Sequence, residues 1–135
     1  MANYSSAAAR HWSDAELLLE NTRFDNADHL YGIAAECAVK TAIVTGHRVN
    51  DEQLPKKYWE HIDALWDLVP VQQLSRNYPG MVAIMKLANP FSDWRISNRY
   101  AVTGSVTTDA VEAHRSITRR LLTATQILGT RRERK

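Results

Sequence analysis

The chain is poor in most of what small-protein chemistry uses. It has one cysteine, Cys37, which excludes an intrachain disulfide. Five glycines and four prolines in 135 residues are too few for a turn-rich β fold or a disordered chain. The longest clean apolar run, 81–85, is far too short to cross a bilayer. The first residues lack the basic and apolar segments of a secretory signal. These features lead us to expect a cytoplasmic protein that avoids membranes. There is no glycine-rich phosphate loop, no His-Glu-x-x-His and no Cys/His cluster. His11, His29, His47 and His61 show no metal spacing, so neither a metal nor a cofactor is expected. A strong overall charge is missing too. The formal net charge is +2, but Arg131, Arg132, Glu133, Arg134 and Lys135 contribute +3, leaving the rest at −1. The body is not a nucleic-acid binder throughout its length.

Helical periodicity is abundant. The length suits one domain, 1–130, followed by a basic tail, 131–135. The segment 26–45 carries two apolar stripes, Leu30, Ile33, Ala34, Cys37, Val44 and Tyr31, Ala35, Ala38, Ala42. His29, Gly32, Glu36 and Lys40 form a third, polar stripe. A helix apolar over most of its circumference belongs in the middle of a bundle, and its small residues let neighbours approach. A first helix is expected over 4–21, capped by Ser5 or Ser6, with Tyr4, Ala8, His11, Trp12, Ala15, Leu18 and Leu19 inward. The short link to Asn26, the next cap, makes the two helices antiparallel neighbours. Gly46 is expected to end the second helix.

A third helix is expected over 58–69, with Ile62, Leu65, Trp66 and Val69 inward, then a turn or two over 72–76. A short helix over 81–89 buries Met81, Ile84, Met85 and Ala88. The stretch 91–105 shows no period and reads as an irregular, partly buried connection. A last helix runs to Leu128, capped by Thr108 or Asp109, with Asp109 and Glu112 in capping-box spacing. Val111, His114, Ile117, Thr118, Leu121, Leu122, Thr125 and Leu128 line its inner face. The expected fold is all-α: an up-and-down antiparallel bundle of four to five helices.

Three stretches together resemble a known family. They are Arg10-His11-Trp12-Ser13-Asp14-Ala15-Glu16-Leu17-Leu18 with Asn26-Ala27-Asp28-His29-Leu30-Tyr31; Ala34-Ala35-Glu36-Cys37-Ala38-Val39-Lys40-Thr41-Ala42; and Trp94-Arg95-Ile96-Ser97-Asn98-Arg99-Tyr100. The chain resembles the HEPN domain, and the likeness spans nearly its whole length. The resemblance implies a homodimer, an association with a minimal nucleotidyltransferase in a toxin–antitoxin or defence-type pair, and RNA or nucleotide as ligand. Many HEPN proteins are metal-independent endoribonucleases that carry Arg and, a few residues later, His. Here Arg95 and Arg99 have no such His, and the next is His114. Arg23 and His29 match the spacing in the wrong place. No catalytic residue is assigned. The expectation is a binding or regulatory module; the alternative is a ribonuclease toxin with a degenerate motif.

Arg95, Asn98, Arg99 and Tyr100 are the ligand candidates. On a helical turn Arg95 and Arg99 share a face, and two guanidiniums with an amide can hold phosphate bidentately. Otherwise they pair with Asp93, Glu36 or another carboxylate and staple the connection to the bundle. Glu36 and Lys40, in the buried stripe, need partners. They form an i,i+4 pair, or Glu36 pairs with an arginine across the bundle, or Glu36 orients Arg99. His114 is a hydrogen-bonded core residue, or a general base if Arg99 or a substrate oxygen comes near. Trp12, Trp59, Trp66 and Trp94 suit the core better than base stacking. Arg115, Arg119, Arg120 and the tail form either an RNA-binding end or a solvated face.

Overall fold

The computed structural model describes residues 1–129. The fold is an all-α bundle, and among the described residues there is no strand. Its helices are α1 (Tyr4–Glu20), α2 (Phe24–His47), α3 (Ile62–Leu65), α4 (Val71–Leu74), α5 (Gly80–Met85) and α6 (Thr108–Ala124). Lys40 of α2 lies over the Tyr4 ring, while Tyr31 bonds Glu16, so α1 and α2 run antiparallel. Asp28 meets His114 and Tyr31 meets Thr118, so α6 runs parallel to α2 and antiparallel to α1. This is up-and-down order, with α3, α4 and α5 as a broken third arm. The basic tail 131–135 lies outside the described residues.

α2 is the centre. Ala27, Tyr31, Ala34, Ala35, Ala38, Val39, Ala42 and Ile43 are fully buried. The alanines bring α1 and α6 close, and the larger residues fill the space between the helices. Its ends differ from the expectation. It begins at Phe24, because Asp25 accepts hydrogen bonds from the Gly104 and Val106 N–H groups and ties the helix start to the 91–105 connection. It also continues through Gly46. Arg48 takes the left-handed conformation at φ 56°, and the Val49 N–H reaches back to the Val44 carbonyl. Val49 packs against the core, so an apolar contact rather than glycine sets the stop.

The other caps are shifted as well. Asn3, not Ser5 or Ser6, caps α1 by accepting from the Ser6 N–H. Thr107 caps α6 by accepting from the Ala110 N–H, and Glu112 bonds Arg115 instead of closing a capping box. α6 stops at Ala124, where Thr125 bonds back to the Leu121 carbonyl and Gln126 turns to φ 64°.

The third arm departs most. A single helix over 58–69 is replaced by a 3-10 turn (Lys56–Tyr58), α3 and another 3-10 turn (Trp66–Leu68). Side-chain bonds break it. Trp59 Nε1–H donates to the Leu54 carbonyl, and His61 keeps an extended backbone while its ring meets Glu36. α5 ends at Met85, and Ala88 is exposed rather than inward. Asn89 explains this: its amide donates to the Asp63 carbonyl, and its oxygen accepts from the Phe91 N–H.

Candidate functional site

The 91–105 connection is irregular but tightly held. Phe91 and Trp94 are fully buried. Trp94 lies against Gly32, where a Cβ would sit 2.2 Å from the indole. Only glycine leaves that notch open. The indole N–H donates to the Asp28 carbonyl at 3.2 Å, and His29 stacks on the same ring at 5.6 Å. This anchor positions a 3-10 turn, Ile96–Tyr100, against α2.

Within the turn the two arginines part. Arg95 precedes it in extended conformation, φ −138° and ψ 142°. A 3-10 turn aligns positions three apart, so Arg95 and Arg99 do not share a face as expected. Arg95 donates to the Ser92 and Trp94 carbonyls at 2.6 and 2.8 Å and lies 3.4 Å from the Asp63 carboxylate. It staples the connection through Asp63, a carboxylate other than Asp93 and Glu36. Arg99 is exposed, and among the described residues no carboxylate reaches ion-pair distance of it. Its guanidinium sits 4.9 Å from the centre of the Tyr100 ring, itself 78% exposed. Half-buried Asn98 lines an adjoining open hollow of about 400 Å3 with Asp28, Asp93 and His114.

His114 is a locked charge. Nδ1 lies 2.6 Å from Asp28 and Nε2 2.8 Å from Asp93, with Phe91 stacked on the ring. Only the doubly protonated ring donates to both carboxylates. Burial opposes that charge, but hydrogen bonding and attraction from Asp28, and then from Asp93, outweigh it and raise the ring's pKa. An imidazolium has no lone pair for a proton. His114 therefore fits the hydrogen-bonded core residue and not a general base, and neither Arg95 nor Arg99 is among its partners.

Glu36 is occupied as well. It pairs with Lys40 at 2.9 Å and His61 at 3.0 Å, so it does not orient Arg99. Arg115 bonds Glu16 through Nε and Nη2 and also meets Glu112, which removes it from any free basic end. Arg119 and Arg120 are exposed. The Cys37 thiol is pushed up to about 12, chiefly by burial, and is unreactive at neutral pH. Trp12, Trp66 and Trp94 are buried, whereas Trp59 is 61% exposed. Among the described residues no three His, Cys, Asp or Glu side chains are grouped to hold a metal. None of the described helices is long and apolar enough to cross a membrane.

Sequence reasoning missed three contributors. Asp28 reads as a helix-start charge but is the buried partner of His114. Asp25 holds the connection's far end. His29 is half-buried, with Nδ1 buried and unpartnered. Burial, then the Arg99 charge, lowers its pKa against the opposing pull of Asp28, and so favours the neutral ring. Its place in the polar stripe of α2 was the one legible signal. No protein-family model, curated protein or solved structure matches the chain.

Proposed function

We propose that the chain is a HEPN-like binding or regulatory module that holds a phosphate-bearing ligand, nucleotide or RNA, at the Arg99 turn. The observation that carries this reading is Arg99 itself: exposed, without a carboxylate partner among the described residues, and presented on a turn fixed by Trp94. A guanidinium can grip a phosphate with two parallel hydrogen bonds, the Asn98 amide adds a donor, and Tyr100 offers a stacking face. A homodimer, a minimal nucleotidyltransferase partner and a toxin–antitoxin setting come from the HEPN resemblance. The lone, buried thiol of Cys37 is consistent with a reducing cytoplasm.

One observation favours the alternative, a metal-independent endoribonuclease. The neutral His29 ring lies in the field of Arg99, and a neutral imidazole is the form that accepts a proton. Its Nδ1 is enclosed, so only Nε2 is left for that role. The deciding experiment is fluorescence anisotropy of a labelled single-stranded RNA in EDTA, followed by gel analysis of the same sample. The expected result is intact RNA, affinity that falls as salt rises, and a loss of about tenfold in Arg99→Gln. Equal affinity in Arg99→Gln sinks the binding reading. EDTA-resistant cleavage abolished by both Arg99→Gln and His29→Ala replaces it with the nuclease.

A further inference from the structure

A second hollow, of about 560 Å3, opens at the far end of α2. Gly32, which carries the Trp94 anchor, and Arg48 are 16 residues apart, roughly 24 Å along the helix axis. The two regions are therefore separate sites. Arg48, Gln72, Gln73, Arg76 and Asn77 line this hollow, and no carboxylate does. Among the described residues neither arginine has an ion-pair partner, and none of the five side chains makes a hydrogen bond within the protein. The hollow beside the Arg99 turn is the reverse, with Asp28 and Asp93 in its wall.

The backbone adds a second observation. Arg48 is held at φ 56° and ψ 43°, a left-handed conformation that is unfavourable for a residue with a side chain. Glycine would end the helix without that strain. This position instead carries an arginine, and Arg48 is among the residues that line the hollow. The end of α2 opposes an anion with roughly half a negative charge. Two guanidiniums outweigh that fourfold. Part of the opposing field is also already taken up, because the last carbonyls accept from His47 Nδ1 and from the Arg48 and Val49 N–H groups.

We propose that Arg48 and Arg76, with the amides of Gln72, Gln73 and Asn77, form a second anion site that binds a phosphate group. The phosphate belongs to a nucleotide's polyphosphate or to a nucleic-acid backbone; both present the same oxyanion to the two guanidiniums. The site stands independently of the Arg99 turn.

The test is an NMR titration of the 15N-labelled full chain with sodium pyrophosphate, and separately with an eight-residue oligothymidylate lacking terminal phosphates. Sodium chloride at matched ionic strength is the blank. Saturable shifts are expected at the side-chain N–H signals of Arg48 and Arg76 and at the three amides. Pyrophosphate alone acting marks a polyphosphate ligand, and the oligonucleotide acting as well marks a backbone. The double variant Arg48→Gly/Arg76→Gln is expected to lose at least tenfold in affinity, while Arg99→Gln leaves these shifts in place. Arg48→Gly removes the charge and relieves the left-handed turn, so the double variant is expected to melt no lower than the parent, and its melting curve separates lost binding from misfolding. Shifts no larger than those in sodium chloride, or a double variant with unchanged affinity, overturn the proposal.

Discussion

His114, on α6 against the 91–105 connection, and Arg99, within that connection, hold their charges in opposite ways. His114 is buried between two carboxylates, and both its nitrogens are engaged. Arg99 is exposed, and among the described residues no carboxylate neutralises it. The first charge fastens the connection to α2 and α6 and is closed to chemistry. The second contributes little to folding and is open to a ligand. Removing a charge should therefore injure stability at one place and binding at the other.

The largest expected effect is at His114. His114→Ala leaves the Asp28 carboxylate buried without a cation and should cost about 3–5 kcal/mol in urea unfolding. Asp93 is 62% exposed, so water screens its half of the cluster, and Asp93→Ala should cost only about 1 kcal/mol. Equal costs would show that the cluster is not the buried lock described here.

Gly32→Ala comes next. Its new methyl group meets the Trp94 indole, and overpacking of this kind costs about 1–3 kcal/mol. Because Trp94 anchors the turn, RNA affinity should fall as well. A variant that keeps both stability and affinity would detach the turn from its anchor.

The pH dependence is smaller and has a definite sign. The His114 ring binds its proton more tightly folded than unfolded. Its stabilisation is fully present below the unfolded value, about 6.5, and is lost as pH rises through the folded pKa. The urea midpoint should fall as pH rises above about 6.5 and through the folded pKa, and His114→Gln should flatten the fall. A small gain in stability is expected at the other end of α2. Arg48→Gly should raise stability by about 1 kcal/mol, read from thermal or urea unfolding, by releasing a left-handed non-glycine residue.

The same contrast explains what was legible in the sequence. The stripes of α1, α2 and α6 could be read because side chains three and four apart keep one face whatever packs on it. The third arm could not, since Trp59 interrupts it by a bond back to the Leu54 carbonyl, and His61 and Asn89 by bonds to groups about 25 residues away. The inward face of His114 was readable. Its partner Asp28, 86 residues earlier, was not, because no local pattern records such a pairing. Arg95 and Arg99 look equivalent in sequence, and only the 3-10 geometry and Asp63 tell them apart.

The most direct test is urea unfolding of the parent chain and Arg99→Gln, each with and without single-stranded RNA. The RNA is set at one hundred times the parent dissociation constant. Without RNA the two should agree within about 0.5 kcal/mol, as for an exposed side chain with no fixed partner. With RNA the parent should gain about 2.7 kcal/mol, and a variant that binds tenfold more weakly about 1.4 kcal/mol. A variant that is markedly less stable without RNA, or that gains as much as the parent with it, would contradict the account of Arg99 as the charge left open for a ligand.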